Sequence, residues 1–271
     1  FLFDEYSREE ETTFEVFYVD NSEDTGKTYQ YGFSLKKDEV VEEWLYSKAK
    51  TARNKYRTIF YRKKGEELEM NGFSKNHVEN IKASLNKESL IVSLGSKLRI
   101  AKLKKVRDWF LSNEIVNFGD PAENFFLSRV LPEGFVERKE VQDNVVEYFA
   151  SFDEAIQDFS IEELPQEDEK DNSKSYKIDA LHRMGDSEKM ASIPLKQESS
   201  GTLKMFALYP SLKEVLDQGS TLFIDELNAR LHPLLVRNII VTFLSPEINT
   251  RNAQLVFTTH DIWQFSNELL R

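Results

Sequence analysis

Cysteine is absent from the 271 residues. That removes disulfides, cysteine-ligated zinc and thiol nucleophiles from consideration. No apolar run approaches the roughly 18–20 residues that span a bilayer, which excludes a membrane-spanning chain and predicts no membrane partner. A basic excess is lacking too: 36 Lys and Arg stand against 47 Asp and Glu, a net charge of −11. A generic nucleic-acid binder needs the opposite balance, although a local basic patch stays open. The opening FLFDEYSREEE carries acid where a secretory signal carries base, which predicts a cytoplasmic setting. What is present builds a core: 40% of residues are apolar, with 20 Phe, 10 Tyr and 3 Trp. A chain disordered throughout is excluded. At roughly 100–200 residues per domain, the length admits one large domain or two small ones.

The first third reads as β-rich. TFEVFYVD (Thr13–Asp20) and TYQYGFSL (Thr28–Leu35) flank the polar NSEDTGK, the pattern of a β-hairpin. Val40–Ala49 fits either a strand or a helix, and Tyr56–Arg62 is a further strand. From about Lys75 the apolar period moves toward 3.6. A helix runs through Val78 and Ile81, and a longer stripe through Leu98, Leu103, Val106, Trp109 and Phe110. Lys97–Arg107 places a basic face opposite that stripe. Lys139–Phe152 is a further helix. The acidic, apolar-poor residues 160–175 mark the expected internal boundary, and Tyr176–Met184 and Lys189–Ile193 read as strands. The last eighty residues alternate helix (Gly201–Leu216), buried strand (Thr221–Ile224), helix with Pro233 in its first turn, buried strand (Gln254–Thr258) and helix (Ile262–Leu270). That order predicts an α/β fold with a parallel sheet in the C-terminal part.

Four segments of this region carry chemistry. Glu198-Ser199-Ser200-Gly201-Thr202 precedes a helix and offers hydroxyls, N–H groups and the positive end of the dipole to an anion. The strand from Thr221 ends in Asp225-Glu226, where open α/β sheets bind ligands. One carboxylate there can hold Mg²⁺, and the other can orient or deprotonate a water. Ala229-Arg230-Leu231-His232-Pro233 follows. Thr258-Thr259-His260-Asp261 ends the next strand, where a histidine can hydrogen-bond a terminal phosphate oxygen.

In this order the four segments resemble the ATP-binding cassette (ABC) type of ATPase. More narrowly they resemble the RecF/SMC-like "AAA family" ATP-binding proteins of bacterial phage-defence and abortive-infection systems. ESSGT is similar to the signature motif, TLFIDE to Walker B, NARLHP to the D-loop and TTHD to the switch-histidine loop. The signature precedes Walker B by about 25 residues and the histidine follows it by about 34, both usual for that family. The resemblance implies a P-loop NTPase head using ATP and Mg²⁺. Asp225 would coordinate Mg²⁺ through water, Glu226 would polarise the attacking water, and His260 would sense the γ-phosphate. Ser199, Ser200 and Gly201 would contact the γ-phosphate of an ATP held mainly by a second copy. It also implies a homodimer or higher oligomer closed head-to-tail around ATP, and a nuclease or toxin effector as partner. DNA is a less favoured ligand.

The same resemblance implies a division into residues 1–35 as the β part of a discontinuous head, 36–158 as a lateral or inserted β and helical region, and 159–271 as the ATPase core. No G-x-x-x-x-G-K-[ST] loop is found. Gly26-Lys27-Thr28 imitates its end, but alternating residues follow where a P-loop needs a helix. The expectation is therefore an excerpt of a longer protein whose Walker A lies outside it. His232 stands where transporters of the family carry Asp, and it can equally cap the helix that follows. His77 and His182 have no partners at metal spacing. Two other readings stay open: a RecF-like DNA-repair ATPase, and a scaffold that binds nucleotide without turnover.

Overall fold

The computed structural model describes residues 10–20, 26–50, 55–120, 122, 131–150, 156–165, 174–185, 189–229 and 231–260. The chain divides into two compact units, Phe1–Leu111 and Ser112–Arg271.

In the first unit, strands β1 (Thr12–Asp20), β2 (Lys27–Lys36), β3 (Glu39–Lys48), β4 (Arg57–Lys63) and β5 (Glu69–Met70) form one antiparallel meander. Tyr18 pairs with Tyr29 and Asp20 with Lys27, so the expected hairpin is present. Lys27 and Thr28 open a strand, and Gly26-Lys27-Thr28 is not a P-loop. The ambiguous segment from Val40 is also strand. Val41, Glu43 and Leu45 point inward at period 2, and a glutamate within that buried row disguises the alternation.

Helices α1 (Lys75–Ser84), α2 (Ile91–Lys97) and α3 (Ala101–Leu111) follow. The stripe expected from Leu98 onward is broken before α3: Arg99 is left-handed at φ 57°, and the Ile100 N–H returns to the Gly95 carbonyl. Gly95 lets the two helices close. A Cβ there would lie 2.1 Å from Leu103 Cδ1. Leu45, Phe60, Ile81 and Leu103 are fully buried in the unit's core, each stabilising it by about 1.5–3 kcal/mol. Leu90, before α2, offers no side-chain cap. The carboxylate of Glu43 supplies one from β3, accepting from the N–H groups of Ile91 (2.7 Å) and Val92 (3.3 Å).

The second unit contains β6 (Glu114–Asn117), α4 (Lys139–Ala150), β7 (Ile156–Glu163), β8 (Tyr176–Arg183), β9 (Met190–Pro194), α5 (Ser200–Gln218), β10 (Thr221–Asp225), α6 (Pro233–Leu244) and β11 (Gln254–Phe257). β7, β8 and β9 make an antiparallel sheet. β11, β10 and β6 make a parallel sheet with β10 in the centre. The fold is therefore mixed α/β, with the expected parallel sheet and one strand, β6, that the sequence pattern did not show. Ile262–Leu270, expected as helix, lies outside the described residues.

α5 and α6 end where local chemistry dictates. Ser199 caps α5 by accepting from Thr202 N–H (3.0 Å), and Gly219 closes it at φ 71°. A side chain at Gly219 would meet the Arg251 carbonyl at 2.6 Å. α5 packs Met205, Leu208, Leu212 and Val215 into one core with Leu222, Ile224, Val236 and Ile240. The boundary between the two units falls at 111/112. Residues 35 and 36 lie inside β2, paired to Val40 and Glu39 of β3. Residue 158 lies inside β7, paired to Leu181 of β8.

Candidate active site

β10 sets the site. Buried Leu222 and Ile224 anchor it, and its last residue, Asp225, emerges exposed at the C-terminal end. Glu226 then turns at φ 53°. A non-glycine residue in that region costs of order 1 kcal/mol and persists only where its surroundings hold it. Three bonds do so. Glu226 N–H donates to Thr258 Oγ1 (2.8 Å), Leu227 N–H to the Thr258 carbonyl (2.9 Å), and Ala229 N–H to the Glu226 carbonyl (2.8 Å). The Thr258 hydroxyl in turn donates to Asp225 Oδ1. One hydroxyl at the end of β11 thus orients both acids at the end of β10.

His260 follows on the same loop. Its Nε2 lies 3.6 Å from Glu226 Oε1, with the imidazole 82% exposed and the carboxylate 41% exposed. Asn228 holds the loop: its Oδ1 accepts from Thr259 Oγ1 (2.8 Å) and His260 N–H (3.1 Å). The structure therefore brings Asp225, Glu226 and His260 together. Asp261 and Arg230 lie outside the described residues.

β6 adds residues that the sequence reading missed. Asn117 pairs in register with Asp225, and the Phe118 N–H donates to the Asp225 carbonyl (2.9 Å). Asn117 Oδ1 accepts from Gly119 and Asp120 N–H at 2.8 and 3.1 Å, shaping the turn. A Cβ on Gly119 would sit 3.1 Å from Glu226 Oε2, so a side chain there would press that carboxylate aside by a few tenths of an ångström.

Ser199, Ser200 and Gly201 lie elsewhere, at the start of α5. Among the described residues, no hydrogen bond or ion pair joins them to Asp225, Glu226 or His260. The N–H groups of Ser200 and Gly201 have no acceptor among the described residues. With the dipole of the 19-residue helix behind them, they form a place suited to an anion. Two contacts tie this helix start to its surroundings. Buried Lys204 donates to the Ala229 carbonyl (2.6 Å), with its Nζ 4.2 Å from the Phe118 ring centroid. His182 Nε2 lies 2.6 Å from Glu198 Oε1, both side chains largely buried. The sequence did carry a signal for Lys204, a lone cation within the apolar run of α5. His232 caps α6, its Nδ1 accepting from Leu234 N–H at 3.3 Å.

The donor set fits nucleotide with a divalent cation. Asp225 Oδ2 has no partner among the described residues, and a single carboxylate is what Mg²⁺ uses when phosphates supply its other ligands. Among the described residues no cluster of three or more metal-binding side chains converges.

A central parallel strand ending in paired acids, flanked by a strand ending in Thr-Thr-His, gathers polar groups where open α/β sheets bind ligands. Residues 2–262 match the model of the family described as "AAA domain, putative AbiEii toxin, Type IV TA system". The chain belongs to that family, an AAA-type P-loop domain in an abortive-infection, toxin–antitoxin context. No curated protein matches the chain. Among the described residues, no helix is long and apolar enough to cross a membrane.

Proposed function

We propose that the chain is an ABC-type ATPase head that hydrolyses ATP as two copies close head-to-tail. The observation that carries this reading is Glu226, held at positive φ against His260 by the Thr258 hydroxyl that also orients Asp225. ATP and Mg²⁺ supply the phosphoanhydride and the charge that stabilises its cleavage. Asp225 would hold the cation, through water. Glu226, half-exposed, accepts a hydrogen bond from the attacking water and orients it. His260 donates to a terminal phosphate oxygen. Ser199, Ser200 and Gly201 lie apart from these groups in one chain, which suits a second role, binding the γ-phosphate of the partner copy's nucleotide. The segment similar to a D-loop, NARLHP from Asn228 to Pro233, meets the start of α5 where the Ala229 carbonyl accepts from Lys204. In the organism, the head serves as the sensor of an anti-phage defence system and controls an effector such as a nuclease.

The test is ATP turnover on the native protein, with sizing in the presence and absence of ATP. Glu226→Gln keeps the shape and removes the base. Turnover should fall by about 10²–10⁴-fold while ATP-dependent dimers persist. Unchanged turnover refutes the role of Glu226. Failure to bind ATP with Mg²⁺ refutes the enzyme reading as a whole.

A further inference from the structure

The first unit contains a cavity of about 450 Å³, within the roughly 300–1,000 Å³ range of small-ligand sites. Strand register builds its floor. Tyr18 lies opposite Tyr29, Tyr29 opposite Ser47, and Ser47 opposite Arg57, one row across four strands. Lys102, Lys105 and Val106, at spacings of three and four on α3, form its wall, and Lys27 and Lys55 complete a ring of cations. Asp20 is its one lining carboxylate among the described residues and pairs with Lys105 at 2.7 Å. No residue from Asp225 to His260 lines it.

This charge runs against the composition. The chain carries −11, yet among the described residues five cations and one acid line this cavity. Gathering like charges costs free energy unless an anion balances them. Two of the cations are already fixed, Lys105 by Asp20 and Lys102 by the Gly72 carbonyl (2.6 Å). Lys55 and Arg57 are exposed and make no side-chain hydrogen bond or ion pair among the described residues. Arg57 presents the planar fork suited to phosphate oxygens.

Aromatic rings stand beside the charge. Trp109, Tyr18 and Tyr29 form a stack with successive centroid separations of 4.0 and 5.3 Å, and the half-buried Tyr29 lines the cavity. The basic stretch Lys97–Arg107 has no interleaved aromatic residue of its own. The fold supplies the missing rings from β1 and β2. Cations tracking phosphate beside a ring that stacks on a base form the recognition pattern for an unpaired nucleotide.

We propose that this cavity binds a phosphorylated nucleobase, supplied as a free nucleotide or as the terminal nucleotide of a single strand. Lys55 and Arg57 contact the phosphate, and Tyr29 stacks on the base.

The test uses the full-length protein in EDTA, so that magnesium-dependent binding at Asp225 does not contribute. The probe is a 5′-phosphorylated dT decamer with a 3′ fluorophore, followed by anisotropy at several salt concentrations. Lys55→Glu with Arg57→Glu should weaken binding at least tenfold with the thermal midpoint unmoved. The milder Arg57→Gln should give a smaller loss in the same direction. Losing two phosphate contacts should also make the salt slope shallower by about 1.4. Tyr29→Leu should cost about tenfold through lost stacking. Competition by dTMP as strong as by unlabelled decamer identifies a free nucleotide as the source; competition by the decamer alone identifies a strand end. The proposal is overturned by absent binding, by binding that the charge reversals leave intact, or by equal binding of a ten-residue polyglutamate. Failure of ATP turnover bears on the other site and leaves this one standing.

Discussion

Raising the pH from about 5 to about 8 should strip stability from the unit formed by residues 1–111, through Glu43. Its side chain is fully buried. Burial raises its pKa from the ordinary 4.5 to about 7, opposed by hydrogen bonds from Ile91 N–H, Val92 N–H and the Tyr31 hydroxyl and by the charge of Arg62. The folded state therefore holds the proton more tightly than the unfolded chain. The stabilisation is fully present below the unfolded pKa, near 4.5, and is lost as pH rises through 7. At about 1.36 kcal/mol per unit, the full loss is about 3 kcal/mol, most of it between pH 5 and 8. Urea unfolding followed by tryptophan fluorescence measures this, because Trp44 and Trp109 both lie in that unit. Glu43→Gln keeps a neutral acceptor for the first turn of α2 and removes the titration. Subtracting its stability profile from that of the parent should leave a difference of about 2–3 kcal/mol between the two pH limits. A difference that stays flat within about 0.5 kcal/mol over that range means Glu43 does not change protonation there, and the burial argument fails.

Thr258→Val preserves shape but removes the hydroxyl that positions Asp225 and Glu226. Thermal unfolding should show a loss of about 1 kcal/mol, and turnover should drop at least tenfold; undiminished turnover would show that the acids hold their places without it. Gly119→Ala should lower turnover more than stability, since its methyl reaches the Glu226 carboxylate rather than the core. Equal kcat for Gly119→Ala and parent would contradict that contact. Lys204→Met should destabilise the second unit by about 1–3 kcal/mol, because the Ala229 carbonyl loses its donor. It should also weaken ATP-dependent dimerisation measured by sizing; dimers of parental strength would separate Lys204 from the D-loop's function.

Local rules carried much of the architecture. Ser199, Gly219 and Pro233 mark helix ends by their own capping chemistry, and all three are legible without a fold. Buried strands such as Thr221–Asp225 announce themselves by apolar runs, and the paired acids at the end of one of them pointed to the site. β6 was not legible. Four residues between helices carry no period of their own, and EIVN becomes a strand only because β10, over a hundred residues away, pairs with it. The assignment of Val40–Ala49 waited on the same kind of pairing. Its buried Glu43 makes sense only once α2 brings two N–H groups to it.

Apolar periods and turn residues along the chain are enough to read the α/β class of the C-terminal part, and they place Asp225, Glu226 and His260 at strand ends and Ser199–Gly201 at a helix start as candidates. Long-range pairing is what lets Thr258 and Asn228 hold the acids and the histidine and what sets Gly119 close beside Glu226. It alone decided that tyrosines from β1 and β2 stand against the lysines of α3. Those relations join residues far apart in sequence, and only strand register and helix packing bring them within reach.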